Sequence, residues 1–238
     1  MFNKEFKISG RKISSQYKPY IISEMSGNHN GELNRALTLI KEASKTGVHA
    51  VKLQTYTPDT MTIKCNNTYF QIKKGLWAGY SLYDLYKYAH TPWDWHKEIF
   101  DLANSLGLHV FSTPFDKSSV DFLEKLDVPA YKIASFEITD LELIKYVSST
   151  QKPLIISTGM ASIDEINETL EIIAKTGNNN ICILYCVSGY PTPIEEANIL
   201  SILEFKKNFN LPIGFSDHTL GTVASVAAVS LGACLIEK

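Results

Sequence analysis

An α/β fold of eight strand–helix units closed into a barrel is what the sequence predicts, and three observations predict it. Short β-rich apolar runs recur with amphipathic stretches between them, the rhythm of βα units feeding a parallel sheet. The runs are eight in number. Nearly every run carries polar side chains within or just beyond its C-terminal end. A barrel converges such groups on one site, whereas an open doubly wound sheet concentrates them at a switch point.

The first run, Tyr20 to Glu24, leads into Met25-Ser26-Gly27-Asn28-His29-Asn30-Gly31. That exit lacks G-x-G-x-x-G, so a nicotinamide cofactor loses support. Leu33, Leu37 and Ile40 mark the buried face of a helix that Gly47 closes. In the second run, Ala50 to Gln54, Lys52 and Gln54 alternate with Val51 and Leu53, so both polar side chains share one face, the interior of a barrel. Residues 56–90 form an oversized connection rich in aromatics, among them Tyr56, Tyr69, Trp77, Tyr83 and Tyr86. It reads equally as a lid or substrate wall and as an oligomer contact or locally packed insertion.

Thr91-Pro92 predicts a helix start with proline in the first helical position, and Gly107 its end. The third and fourth runs are His109 to Thr113 and Ala130 to Ala134. Thr139 with Glu142, and Ser162 with Glu165, have capping-box spacing. Between them lies the fifth run, Pro153 to Ser157, and after them Ile166, Leu170 and Ile173 give a buried helical face ended by Gly177. The last three runs are Ile181 to Cys186, Ile213 to Ser216 and Ala233 to Glu237. The chain stops at Lys238 without a helix to cover that last strand, which is the expectation for a fragment cut at or just after the eighth strand. No linker or repeat divides residues 1–238, so they are read as one domain.

Composition narrows the class. Apolar residues make up 45% of the 238 and charged residues 20%, the balance of an ordinary globular chain. Twenty-three Lys and Arg against 25 Asp and Glu leave a net charge of -2, which argues against a nucleic-acid partner. The four cysteines are widely spaced, with no disulfide framework and no paired zinc spacing. With no apolar targeting segment and no run long enough to span a membrane, a soluble cytoplasmic protein is expected.

Two lysines carry the chemistry. An ammonium inside a barrel is costly alone, and an anionic ligand would compensate it. Lys52 fits that description, and Lys132, between Tyr131 and Ile133, repeats it two strands on. A structural ion pair with Glu24 or Glu137 is the competing reading. Thr113, Ser135, Ser157, Ser188 and Ser216 stand at strand exits, where hydroxyls can donate to phosphate or carboxylate oxygens or merely cap helices. Glu24 and Glu137 are candidates for acid–base work, or for charge balance. His218, in Ser216-Asp217-His218-Thr219, reads as a metal ligand or as a hydrogen-bonded structural residue. His29 is weaker still, in a loop whose Asn and Gly could serve backbone geometry alone.

Taken together, the motifs resemble the sialic acid synthase family and, within it, the branch that makes pseudaminic acid. The resemblance is carried by Ser23-Glu24-Met25-Ser26-Gly27-Asn28-His29-Asn30, Lys52-Leu53-Gln54-Thr55-Tyr56, Leu82-Tyr83-Asp84-Leu85-Tyr86, Ser112-Thr113-Pro114-Phe115-Asp116, Tyr131-Lys132-Ile133-Ala134-Ser135-Phe136-Glu137, Ser157-Thr158-Gly159-Met160, Tyr190-Pro191 and Gly214-Phe215-Ser216-Asp217-His218-Thr219. It spans residues 20–238.

The resemblance implies a TIM-type (β/α)8 barrel that condenses phosphoenolpyruvate with an N-acetylated amino sugar and water, giving a 2-keto sugar acid and phosphate without a Schiff base. It further implies manganese or magnesium as cofactor and a homodimer when full length. By motif, Lys52, Gln54, Thr113, Lys132, Ser135, Ser157, Ser188 and Ser216 would hold phosphoenolpyruvate. Glu24, Asn28, Glu137 and Tyr190 would face the sugar or the attacking water, with Glu24, Glu137 and Lys132 catalytic, and His218 would bind the metal. The implied sugar is 2,4-diacetamido-2,4,6-trideoxy-altrose, with N-acetylmannosamine as the alternative. Two departures follow from the same resemblance: the second metal-binding His would stand immediately beyond Lys238, and the C-terminal antifreeze-like domain is missing. An inactive binding or assembly protein, and a Schiff-base aldolase using Lys132 or Lys52, are the competing expectations.

Overall fold

The computed structural model describes residues 1–75 and 77–238. Eight parallel strands close into a barrel in sequence order: β3 (Tyr20–Glu24), β4 (Ala50–Thr55), β5 (His109–Pro114), β6 (Tyr131–Ile133), β7 (Leu154–Ser157), β8 (Ile181–Cys186), β9 (Ile213–Ser216) and β10 (Leu235–Glu237), the last pairing with the first. They are the eight apolar runs. Before them comes an antiparallel hairpin of β1 (Phe6–Ile8) and β2 (Arg11–Ile13), which the apolar pattern does not reveal. Its Phe6, Ile8 and Ile13 are buried in the same core as the barrel. Asn3 holds it to Asn179 and Asn180, just before β8, so the hairpin covers the N-terminal end of the barrel.

Helices lie outside the strands. They are α1 (Leu33–Lys45), α2 (Pro58–Met61), α3 (Leu82–Ala89), α4 (Trp93–Ser105), α5 (Lys117–Lys125), α6 (Leu141–Ser149), α7 (Ile163–Thr176), α8 (Ser201–Asn208) and α9 (Val223–Ser230). The Ser162 capping box is formed, and Gly177 ends α7 in a left-handed conformation at φ 83°. Two predicted starts are displaced. Asp140 caps α6 by accepting from the Leu143 amide, because Thr139 is the last residue of a 3-10 turn. Thr91 spends its hydroxyl on His29 Nε2 at 3.2 Å, and α4 begins behind Pro92 with no side-chain cap.

The barrel interior is filled by alternation. Lys52 and Lys132 within their strands, and Ser157, Ser216 and Glu237 at the last residues of theirs, are all buried. One layer deeper, Gly214 faces Leu184 and Leu235 so closely that a Cβ built on it would lie 2.5 Å from Leu184 Cδ2 and 2.6 Å from the Leu235 carbonyl oxygen. The glycine is what lets two leucines fill that layer.

In the 56–90 connection, Tyr56 is buried edge-on against Phe115 and Tyr86, while Trp77 packs locally against Tyr80 and Tyr88. Tyr69 is largely exposed. Local packing thus accounts for much of its aromatic content. On the outer wall, Ile21 and Ile236 from the paired strands β3 and β10 line an apolar groove with Val226 and Val229. No helix among the described residues is long and apolar enough to cross a membrane.

Candidate active site

The C-terminal ends of β3, β4, β6, β7, β8, β9 and β10 surround a cavity of about 360 Å³. Of the residues singled out from the sequence, Glu24, Asn28, Lys52, Gln54, Lys132, Ser135, Ser157, Tyr190, Ser216 and His218 line it. The alternation argument places both amines correctly: Lys52 and Lys132 are 3% and 2% exposed, and they border open space.

Both amines also have protein partners. Lys52 Nζ is ion-paired with Glu24 and lies 3.5 Å from Glu237 Oε1, with Thr113 Oγ1 behind it at 3.3 Å. Lys132 Nζ donates to Ser157 Oγ at 2.6 Å and to the Ile133 carbonyl at 3.2 Å, and lies 3.5 Å from the same Glu237 oxygen. Burial works against the Lys52 ammonium, but Glu237 and Glu24 outweigh it and hold its proton above the ordinary lysine value. For Lys132 the balance reverses. Burial, helped by repulsion from Lys52, prevails over Glu237 and pushes that amine down. Burial likewise pushes the Glu24 carboxyl up against the pull of Lys52. Two cations and two carboxylates leave the charge nearly balanced before any ligand arrives.

Three predicted residues lie off the cavity wall. Thr113 stands behind Lys52 as its hydrogen-bond partner. Ser188 buries its Oγ against Gly159, without a hydrogen-bond partner among the described residues. Glu137, on the 3-10 turn after β6, opens on a separate depression with Thr60, Met61 and Phe115. Its Oε2 is buried with no hydrogen-bond partner among the described residues, and burial pushes its carboxyl up.

Glu237 and Cys186 are lining residues that the sequence reading did not select for the site. Both were available to strand alternation, since Glu237 is two residues beyond Leu235 and Cys186 two beyond Leu184. His29 is structural: Nδ1 accepts from the Gly31 amide at 3.0 Å and the ring sits edge-on to Trp95. Asp217 is turned away, its carboxylate taken by Thr219, Ser225 and Lys238.

His218 sits beneath Tyr190, ring centroids 4.2 Å apart. Its Nδ1 is 2.9 Å from the Val187 carbonyl, which makes that nitrogen the N–H donor and leaves Nε2 a free lone pair on the Ser216 side at 3.4 Å. That tautomer suits a metal ligand. Yet among the described residues no three His, Cys, Asp or Glu side chains are grouped to hold an ion. The residues present offer one ligand and not a set, so no chemical step is derived through a metal.

The loop after β7 approaches the serines closely. The Gly159 amide donates to Ser135 Oγ at 3.1 Å, and a Cβ on Gly159 would lie 2.4 Å from Ser188 Oγ, 3.0 Å from Ser135 Oγ and 3.2 Å from Cys186 Sγ. G159A is therefore expected to displace these polar groups while the fold survives. Phosphate binding, read by calorimetry, should weaken by roughly tenfold, the equivalent of one charge-assisted hydrogen bond, with the circular dichroism spectrum unchanged. Undiminished binding would contradict this role.

A closed parallel barrel whose strand ends direct two ammoniums, several hydroxyls and an imidazole into one polar cavity defines a small-molecule site of the kind barrel enzymes place there. The chain belongs to the NeuB family, whose model matches residues 39–238. It is 46% identical over 226 residues to the pseudaminic acid synthase of Campylobacter jejuni, covering 95% of this chain and 66% of that protein. It is 44% identical over 220 residues to that of Helicobacter pylori, covering 92% and 65%. The chain thus spans just under two thirds of these relatives' length. Among solved structures, an N-acetylneuraminic acid synthetase from Leptospira borgpetersenii in complex with citrate superposes with a TM-score of 0.88 at 30% identity, covering 100% of this chain and 78% of that one.

Proposed function

We propose that this barrel condenses phosphoenolpyruvate with 2,4-diacetamido-2,4,6-trideoxy-altrose and water to give pseudaminic acid and phosphate. The observation that carries the reading is the pair of inward ammoniums that, although balanced by Glu24 and Glu237, still border an open polar cavity able to admit a small dianion. Two relatives bear the name pseudaminic acid synthase, which supports the choice of product.

In this reading Lys52, Lys132, Ser135, Ser157 and Ser216 hold the phosphate and carboxylate of phosphoenolpyruvate, with Thr113 keeping the Lys52 amine in place. Gln54 joins them in holding phosphoenolpyruvate, while Asn28 and Tyr190 face the sugar. The methylene carbon of phosphoenolpyruvate forms a bond to the aldehyde carbon, water adds at the enol carbon, and the C–O bond to phosphate breaks. Glu24, beside Lys52, is placed to orient water. Glu137 opens on the neighbouring depression and not on this cavity, so it is given no step. Among the described residues, His218 is the one side chain placed to serve as a ligand to a divalent metal, and no step is routed through it. We assign the protein to the cytoplasm and, as a whole enzyme, to a homodimer.

The test is release of inorganic phosphate from phosphoenolpyruvate with manganese present, with and without sugar, alongside calorimetric titration of phosphoenolpyruvate into the chain. Binding, and release that requires the diacetamido sugar, are the expected results. Release only with N-acetylmannosamine would move the substrate. A borohydride-trapped adduct on Lys132 would replace the mechanism, and no binding at millimolar concentration would overturn the reading.

A further inference from the structure

Glu237 closes β10 with 6% of its surface exposed, and its two oxygens lie in different surroundings. Oε1 is approached by Lys52 Nζ and Lys132 Nζ, each at 3.5 Å, and by Ser216 Oγ at 3.4 Å. Oε2 is buried with no hydrogen-bond partner among the described residues. Three of the groups assigned above to phosphoenolpyruvate thus converge on a carboxylate of the protein itself.

The distances decide what kind of contact this is. Charge-assisted hydrogen bonds close to about 2.7–2.9 Å. The three approaches to Oε1 stop well short of that, while Lys132 reaches Ser157 at 2.6 Å. Glu237 therefore shares its single charge between both ammoniums without occupying their donors, and Glu24 supplies the second charge at Lys52. An ion pair built for stability would close those gaps and satisfy its second oxygen. Here neither has happened, and the carboxylate borders the cavity.

We propose that Glu237 is an internal anion that competes with the ligand for Lys52 and Lys132, so that free phosphate is held weakly and only an anion bringing further contacts, a phosphate ester with its own carboxylate, is held well. The proposal rests on the anion-binding reading of the cavity. It makes Glu237 a specificity-determining residue, one that also hastens departure of the phosphate the reaction releases.

The test is calorimetric titration of inorganic phosphate, and separately of phosphoenolpyruvate, into the full chain in metal-free buffer. The proteins compared are the wild type, E237Q and E237D. E237Q keeps the shape and removes the charge; its phosphate affinity is expected to rise at least tenfold, with a smaller gain for phosphoenolpyruvate. E237D draws the carboxylate back by one methylene and should fall between, which keeps the test open if E237Q does not fold. A purely structural role predicts the opposite sign, since ammoniums deprived of their counter-ion would lose their geometry and bind phosphate less well. Unchanged or weaker phosphate binding in the folded variants overturns the proposal alone if the wild type binds phosphoenolpyruvate. If none of the three proteins binds either anion, the anion reading falls with it.

Discussion

Replacing Lys132 by Met is expected to weaken phosphoenolpyruvate binding by at least a hundredfold while leaving the barrel as stable as before or more so. The two halves of that result have one cause. Lys132 is 2% exposed, and burial with repulsion from Lys52 holds its amine below the ordinary value. A lysine whose folded pKa lies below its unfolded one costs stability wherever it is charged. The cost is fully present below the folded pKa and vanishes as the pH rises past the unfolded value near 10.5. Methionine fills a similar volume without that cost, offset in part by leaving Glu237 only the Lys52 ammonium. The ligand, by contrast, loses one of two cationic donors in a desolvated site, worth about 3 kcal/mol or a little over a hundredfold. Calorimetry and chemical denaturation measure the two sides. A K132M protein that binds phosphoenolpyruvate normally, or that loses several kcal/mol of stability, would show the amine to be a structural counter-ion.

Gly214→Val should have the largest effect on folding. The first carbon of any side chain there falls 2.5 Å from Leu184 Cδ2 and 2.6 Å from the Leu235 carbonyl oxygen. The leucine methyl can turn aside, but the carbonyl is backbone in a strand of a closed barrel. Even G214A is expected to cost about 3 kcal/mol, the upper range for overpacking, out of a typical total of about 5–15 kcal/mol. The valine variant should not accumulate as folded protein. Urea denaturation of G214A, alone and combined with L184A, gives the check. Partial recovery in the double variant is expected, because only one of the two collisions has been removed; a G214A as stable as the parent would refute the packing argument.

Much of the fold was legible because each barrel strand is a short apolar run between polar ones. Lys52 and Gln54 were legible for a sharper reason: a period of two assigns side chains to faces without any knowledge of neighbours. The hairpin escaped that logic, since strands of three residues show no period. Its one signal was local, Ser9-Gly10 between two short apolar–basic triplets, and both residues take positive φ. Thr139 was read as a cap because spacing alone cannot tell a cap from the last residue of a preceding turn. Glu137 shows the same limit, for the 3-10 turn after β6 sets its direction and no repeat in the sequence encodes it. The importance of Glu237 needed closure itself, because its nearness to Lys52 and Lys132 exists only once the eighth strand meets the first.

The packed barrel interior has a kinetic corollary. With Leu184 and Leu235 filling the layer beneath the two amines, the cavity described above opens at the C-terminal ends of the strands. In the proposed reaction molecules would then queue, the anion on the two amines entering before its reaction partner and leaving after it.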